Sequence, residues 1–185
     1  MLKVGLVTLT LSLTMSEPAM ARAAADDCLF SFAPHRGAPT FEAHRADRFL
    51  GPAQPPRVLS GDARLYRTAI KAGAKVGVNF AGHYTIVGWG CGSSCLDWAV
   101  VDRRTGAVHF DPRYRVVSTV HVGRDTPASE GTDRTFNGLR FRRDSKMLVV
   151  QGAPDEDERR EGVTYLEWSG GRFRKLAFVP APQCS

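Results

Sequence analysis

The chain has 185 residues, of which 43% are hydrophobic, and it carries a formal net charge of +6 at neutral pH. This length provides for one domain with a real core and so excludes a protein of several large domains. The modest positive charge favours anionic partners such as polysaccharides, lipid headgroups or acidic proteins, although it also keeps a protein soluble and says nothing about the fold.

The first 25 residues have the pattern of a secretory signal peptide. Lys3 gives a positive start, an apolar run follows over 4–15, and mostly small residues occupy 18–25. The possible cleavage points follow small-x-small triplets that end at Ala21, Ala23 or Ala25. The apolar run is shorter than the about 20 residues that cross a bilayer, and no later run is long enough. We therefore expect residues 1–25 to be removed and the mature protein to be periplasmic or secreted, without a membrane span.

The predicted mature chain contains four cysteines, Cys28, Cys91, Cys95 and Cys184. An even number in an exported chain indicates disulfides, and four cysteines allow three pairings. We favour Cys91–Cys95, because the CGSSC loop is short and contains glycine, together with Cys28–Cys184 at the two ends of the domain. In the loop-entropy model the long bridge stabilises by about 5 kcal/mol and the short one by about 2 kcal/mol.

Residues 26–60 are rich in proline and glycine, and we expect an irregular arm that packs on the domain. A single β-rich domain is predicted over residues 61–185. It begins with the one predicted helix, Asp62–Ala72, in which Asp62 can cap the first turn while Leu65 and Ile70 share an apolar face.

From Val78 onward, β-branched and aromatic residues alternate with turn signals at short intervals, which indicates antiparallel hairpins. Two segments, Tyr84–Trp89 and Leu96–Val101, are almost wholly apolar and are predicted to be central strands covered on both faces. The fold predicted is mainly β, an antiparallel meander with one short α-helix, arranged as a sandwich, an open barrel or propeller-like blades. The remaining strands are predicted at 107–110, 116–122, 139–142, 147–151, 165–168 and 172–179.

Two polar stretches interrupt this pattern. Residues 123–135 lack an apolar anchor and are predicted to form an exposed loop. The charged run at 155–161 is predicted to be a solvated turn, with calcium binding as the alternative, although the spacing of a helix-loop-helix calcium site is missing.

The segments NFAGHY (79–84) and GCGSSC (90–95) carry a resemblance to a family of small exported bacterial proteins without an assigned biochemical function. The likeness extends from the predicted helix through VVDRRTG to the DSKMLVV and TYLEWSGGRF hairpins, about two-thirds of the mature chain. The resemblance implies an exported single domain, and it implies no reaction or ligand.

The stretch from Gly82 to Asp97 is the predicted binding surface. Its glycines permit close backbone approach, and a disulfide-fixed loop beside exposed aromatic rings would be preorganised for recognition. The alternative is that Trp89 and the neighbouring Trp98 belong to the core. The candidate contact residues are His83, Tyr84, Trp89, Ser93, Ser94 and Asp97.

Arginines form a second candidate surface. Strand alternation places Arg140 with Arg142 opposite Phe141, and Arg113 with Arg115 opposite Tyr114. Such a face could bind an anionic glycan or an acidic protein of the envelope. Nucleic acid is excluded as a partner because export removes the usual targets and no recognition motif is present.

Three catalytic or metal-binding alternatives use the same stretch. A cysteine enzyme would need Cys91 or Cys95 as nucleophile and His83 as base, with Asp97 or Asp102 to orient the ring. A serine hydrolase would use Ser93 or Ser94, with backbone amides of Gly90 and Gly92 as its oxyanion hole. Zinc would require His83, Cys91, Cys95 and His109 as ligands.

A disulfide between neighbouring cysteines would remove the thiolates that the cysteine enzyme and the zinc site require. GCGSSC also differs from the nucleophile elbow of hydrolases. We therefore predict a disulfide-stabilised, non-catalytic binding protein without metal or cofactor, and keep a small periplasmic hydrolase using the Gly82–Asp97 loop as the alternative.

Overall fold

The computed structural model describes residues 29–30, 37–123 and 138–182. The predicted signal peptide, the predicted Cys28–Cys184 bridge and almost all of the predicted loop at 123–135 lie outside these residues. The strands are β1 (Tyr84–Gly92), β2 (Cys95–Asp102), β3 (Val108–His109), β4 (Val116–Ser118), β5 (Leu139–Phe141), β6 (Met147–Pro154), β7 (Gly162–Ser169) and β8 (Arg172–Pro180).

All of these strands belong to one antiparallel sheet with the order β1-β2-β4-β6-β7-β8. The short strand β3 pairs with the last part of β2, whereas β4 pairs with the first part of β2. On β6, β5 pairs with residues 148–150 and β4 pairs with residues 153–154. The prediction of a mainly β, antiparallel domain is therefore confirmed.

Among the described residues, helical structure is limited to short segments. Two α-helices, α1 (Gly61–Leu65) and α2 (Arg67–Gly73), meet at Tyr66 and together occupy the position of the one predicted helix. Three single 3-10 turns lie at Phe41–His44, Ala74–Val76 and Glu158–Arg160.

Two details of the predicted helix are wrong. Ser60 occupies the N-cap position of the first helix without a side-chain capping bond, and Asp62 lies in the first turn, where its carboxylate accepts a hydrogen bond from Arg115 at 2.6 Å. Ile70 is fully buried, whereas Leu65, predicted on the same apolar face, is largely exposed. The helix therefore contacts the sheet through a narrower stripe than the sequence pattern indicates.

The first strand was predicted to be central, but β1 lies at an edge of the sheet. The chain that precedes β1 covers part of this edge. The buried side chain of Asn79 accepts a hydrogen bond from the Ile86 amide at 2.8 Å and donates to the Ile86 carbonyl at 3.0 Å. The Thr85 hydroxyl donates to the Gly77 carbonyl at 2.7 Å. These bonds replace those of a neighbouring strand, which explains how an apolar strand can lie at an edge.

The sheet curls around one core. The rings of Trp98 on β2 and Phe173 on β8 have centroids 5.5 Å apart, although four steps separate these strands in the sheet order. In a flat sheet four steps would amount to about 19 Å. Of the three arrangements predicted, the curled sheet therefore corresponds to the open barrel.

Two further apolar clusters cover the outside of the curled sheet. Ile70 and Ala74 pack with Val58 on the outer face of β1 and β2, and Phe30 and Phe41 pack on the outer face of β6 and β7. Residues 37–60 thus cross the sheet as a strap, with the 3-10 turn at Phe41–His44 as their only regular element among the described residues.

The segment between β3 and β4 is a turn instead of a strand, so Arg113 and Arg115 do not share a sheet face. Arg113 pairs with Asp111 at 2.8 Å, whereas Arg115 pairs with Asp97 at 3.0 Å. The interpretation of these two arginines as one anion-binding face is wrong, because each guanidinium already has a carboxylate partner.

The charged run at 155–161 forms an exposed turn. Asp157 accepts a hydrogen bond from the Arg159 amide and pairs with the Arg159 guanidinium at 2.9 Å. Within residues 29–30, 37–123 and 138–182, no group of three or more His, Cys, Asp or Glu side chains is placed to hold a metal ion.

Candidate functional site

The NFAGHY segment forms a tight reversal of the chain at the start of β1. Phe80 and Tyr84 pair across it through two backbone hydrogen bonds of 2.9 and 3.0 Å. Ala81 and Gly82 lie in the left-handed region, with φ of 42° and 79°. His83 is half-buried at this reversal, while Phe80 is fully buried in the core.

Two other segments hold this reversal in place. The amide of Gly82 donates to the Arg143 carbonyl at 2.7 Å, and the amide of Ala81 donates to the Ser145 carbonyl at 3.1 Å. On the opposite side, the amide of Phe49 donates to the Gly82 carbonyl at 3.1 Å. The NFAGHY reversal is thus fixed between the strap and the turn that precedes β6.

These three segments, with the turn after β2, border an open cleft of about 330 Å³. A volume of this size suits a small ligand such as one or two sugar units. The residues that line the cleft are Ala46, Asp47, Arg48, Phe49, Ala81, His83, Arg104 and Lys146.

The lining of the cleft carries uncompensated positive charge. Arg48, Arg104 and Lys146 face one carboxylate, Asp47, and none of the three cations forms an ion pair with any residue in the described part of the chain. Arg104 lies over the ring of Phe49, with its guanidinium carbon 5.7 Å from the ring centroid. The cleft therefore combines free cations with an aromatic wall.

His83 is held between two aromatic rings, with centroid distances of 4.1 Å to Tyr84 and 6.2 Å to Phe49. Its Nε2 lies 3.9 Å from Asp102 Oδ1, too far for a hydrogen bond. Burial lowers the pKa of His83, and Arg104 lowers it further, while Asp102 acts in the opposite direction. The imidazole is therefore neutral at pH 7 and can donate one hydrogen bond and accept another.

The GCGSSC segment lies at the other end of the β1–β2 hairpin. The predicted disulfide between Cys91 and Cys95 is confirmed, with the two Cα atoms 5.2 Å apart. The pairing of β1 with β2 shifts between Gly90 and Gly92, which makes Cys91 the extra residue of a β-bulge. The two residues of the hairpin turn, Ser93 and Ser94, are exposed, and Ser94 has a φ of 52°.

The hairpin separates the two halves of the predicted binding surface. Tyr84 pairs with Asp102 at one end of β1, and Gly92 pairs with Cys95 at the other. At the rise of an extended strand these ends are about 26 Å apart. His83 therefore cannot serve as a base for Ser93, Ser94, Cys91 or Cys95, and both nucleophile hypotheses are wrong in this geometry. The zinc hypothesis is wrong as well, because the disulfide uses both sulfurs.

The two residues in the middle of the predicted surface are structural. Trp89 stacks on the ring of Tyr66, the residue that joins the two helices, with ring centroids 4.8 Å apart. Trp89 also contacts the ring of Phe110 edge-on. Asp97 is buried and pairs with Arg115, whose guanidinium lies over the rings of Tyr66 and Phe110. These contacts attach the helices to the sheet: Asp97 is buried, and Trp89 is half-buried against Tyr66 and Phe110.

The predicted alternation of Arg140 and Arg142 around Phe141 is borne out by the full burial of Phe141 in the core. Arg142 pairs with Glu42 at 2.5 Å and lies over the ring of Phe41. Arg140 is half-buried, and burial together with the neighbouring Arg142 lowers its pKa. The ion pair between Arg142 and Glu42 thus holds the strap to the end of β5. The guanidinium of Arg142 is therefore less available to an anionic partner.

Most of the cleft was not predicted from the sequence. His83 is its only residue among the predicted contacts, while Asp47, Arg48, Phe49, Arg104 and Lys146 come from three separate segments without a motif. The one signal was the DRRTG turn after β2, which places Arg104 next to Asp102. The Arg104 amide donates to the Asp102 carboxylate at 2.7 Å, and this bond shapes that turn.

Removal of the Cys91–Cys95 bridge, by a Cys91→Ser, Cys95→Ser double variant, is expected to lower the free energy of unfolding by about 2 kcal/mol. The loop that it closes is short, so the protein should remain folded. Chemical denaturation of the oxidised wild type and the variant measures the difference. Stoichiometric thiol labelling of Cys91 or Cys95 in the native, unreduced protein would contradict the bridge.

Comparison with protein-family models, with curated proteins and with solved structures finds no match to this chain. In the described part of the chain, no helix is both long and apolar enough to cross a membrane. The function is therefore argued from the geometry and charge of the cleft.

Proposed function

We propose that this protein is an exported, non-catalytic binding protein of the bacterial envelope that holds an acidic sugar in the cleft. The export step rests on the signal-peptide pattern of residues 1–25 and on the disulfide, which is a feature of oxidising compartments. The observation that carries the proposal is the group of cations that line a concave site without carboxylate partners.

The chemistry of the lining favours a sugar acid. Arg48, Arg104 and Lys146 can bind a carboxylate or sulfate, and charge-assisted hydrogen bonds of this kind are the stronger ones in proteins. The Phe49 ring can pack against the apolar face of a sugar, and neutral His83 can exchange hydrogen bonds with hydroxyl groups. An acidic protein is the weaker alternative, because protein partners usually dock on broad surfaces, whereas this site is small and concave.

Binding without catalysis is favoured by the position of the nucleophilic side chains. Ser93 and Ser94 lie at the far end of the β1–β2 hairpin, and the sulfurs of Cys91 and Cys95 are joined. The residues that line the cleft instead supply charge, an aromatic ring and one imidazole, which suit recognition.

The proposal predicts that digalacturonate binds to the oxidised mature protein and that neutral lactose does not. Each of Arg48→Met, Arg104→Met and Lys146→Met is expected to weaken digalacturonate binding by about tenfold, which corresponds to about 1.4 kcal/mol. Isothermal titration calorimetry at fixed salt measures the affinities.

A matched control is Arg172→Met, which removes the same charge from an exposed position on β8 outside the cleft. This variant should keep the wild-type affinity. If Arg172→Met weakens binding as much as the cleft variants do, net charge explains the binding and the site is wrong. If polyglutamate binds and digalacturonate does not, the partner is an acidic protein instead.

A further inference from the structure

We infer that ligand binding in the cleft is coupled to protonation of His83, so that acidification tightens the hold on an anionic sugar. This inference deepens the proposed function and rests on it. The imidazole of His83 lines the cleft. The rings of Phe49 and Tyr84 flank it and restrict its movement.

The charged groups around His83 come from every segment that packs against it. The turn after β2 contributes Arg104, and the end of β2 contributes Asp102, whose Oδ1 lies 3.9 Å from the imidazole Nε2. The remaining charged side chains that line the cleft are Asp47, Arg48 and Lys146. Cations outnumber carboxylates among these groups, and a protonated His83 would add one more.

An anion in the cleft would change this balance. Burial and the neighbouring Arg104 both lower the pKa of His83 in the protein without ligand. A bound carboxylate would offset the cations and stabilise the imidazolium form, which raises the pKa of His83. Because linkage is reciprocal, protonation must then strengthen binding of the anion by the same factor. The affinity for the anion is greatest at a pH below the pKa that His83 has in the free protein. It falls as the pH rises through the higher pKa that His83 has in the complex.

His83 is the group that can produce such an effect near neutral pH. Histidine is the side chain whose ordinary charge change falls between pH 5 and 8, and among the described histidines only His83 lines the cleft. His109 is a matched comparison. Burial lowers its pKa and Asp102 opposes this, as for His83, but His109 lies beside Trp168 and does not line the cleft.

The experiment titrates the oxidised mature protein with digalacturonate from pH 5 to pH 8 at constant ionic strength. Carboxyl groups of this type ionise at about pH 3.3–3.7, so the ligand charge stays constant. We expect about tenfold tighter binding at pH 5 than at pH 8, the factor for a shift of one pKa unit. Calorimetry in buffers of different ionisation enthalpy should show proton uptake on binding at intermediate pH.

Two variants test whether His83 is the group that takes up the proton on binding. His83→Gln should bind with the weaker affinity of the wild type at pH 8 and show no pH dependence, whereas His109→Gln should keep the full dependence. Digalacturonate binding that is equally tight at all pH values would overturn the inference and leave the proposed function intact. A failure to bind at any pH would overturn the proposed function itself. Loss of the pH dependence in His109→Gln but not in His83→Gln would also overturn the inference.

Discussion

Replacement of Gly82 by alanine is expected to lower the free energy of unfolding by about 3 kcal/mol, among the larger effects of a single substitution. Gly82 has a φ of 79°, which disfavours any residue with a Cβ atom. An alanine Cβ would also lie 1.9 Å from the backbone carbonyl oxygen of Asp47. Because the obstacle is backbone, the strap has to move away, and the cleft should lose Phe49 and Arg48 from its wall.

Alanine variants of two other glycines distinguish the strain of the positive φ from the clash with the Asp47 carbonyl. Gly77 has a φ of 81° and a ψ of −161°, a conformation that is nearly restricted to glycine, but it has open space around it, so Gly77→Ala should cost only the backbone strain of about 1–3 kcal/mol. Gly90 has neither a positive φ nor a neighbour within 4 Å, and Gly90→Ala should change stability by no more than about 0.5 kcal/mol. Urea denaturation of the three variants measures these differences.

Movement of the strap has its own measurement. Limited trypsin digestion should cut after Arg45 or Arg48 faster in Gly82→Ala than in Gly77→Ala. Equal stability and equal digestion of these two variants would show that the contact between Gly82 and Asp47 does not hold the strap in place.

The Gly82 contact illustrates what the sequence could and could not predict. Segments of β-branched and aromatic residues between turn signals located most of the strands, since each strand is specified by its own neighbours along the chain, although the strand predicted at 116–122 ends at Ser118. The position of β1 at the edge was not predictable in this way. The bonds from Asn79 to the backbone of Ile86 replace a neighbouring strand, and no periodic pattern indicates such a replacement.

The candidate site was predicted less well than the fold. NFAGHY was recognised as a distinctive segment, but Asn79, Phe80 and Gly82 have structural roles in it, and only His83 lines the cleft. The cations of the cleft lie in segments that are distant in sequence. A cluster that exists only after the sheet has curled leaves no local signal, because single arginines and lysines are common on any protein surface.

Trp89 and Asp97 were predicted as ligand contacts for a related reason. A tryptophan on a glycine-rich strand and an acid on the next strand resemble a recognition surface, and their partners, Tyr66 and Arg115, come from outside the hairpin. The sequence does not reveal that these partners arrive on the same face. The structural role of Asp97 nevertheless leads to a strong expectation for its partner.

Replacement of Arg115 by methionine is expected to lower the free energy of unfolding by about 3 kcal/mol or more. Asp97 is 3% exposed, and its carboxylate accepts hydrogen bonds from Arg115 Nε at 3.0 Å and from Arg115 Nη2 at 3.3 Å. Without the guanidinium, a buried carboxylate loses its partner. The variant also loses the bond to Asp62, which attaches the first helix to the sheet. Urea denaturation measures the loss.

The double variant Arg115→Met, Asp97→Asn distinguishes the buried charge from general loss of packing. It should recover at least half of the lost stability, because the neutral amide no longer carries an unpaired charge. Arg142→Met is the control for an exposed pair, since Glu42 is largely in solvent, and it should cost at most about 1 kcal/mol. If Arg115→Met costs no more than Arg142→Met, the buried pair does not hold the helices on the sheet.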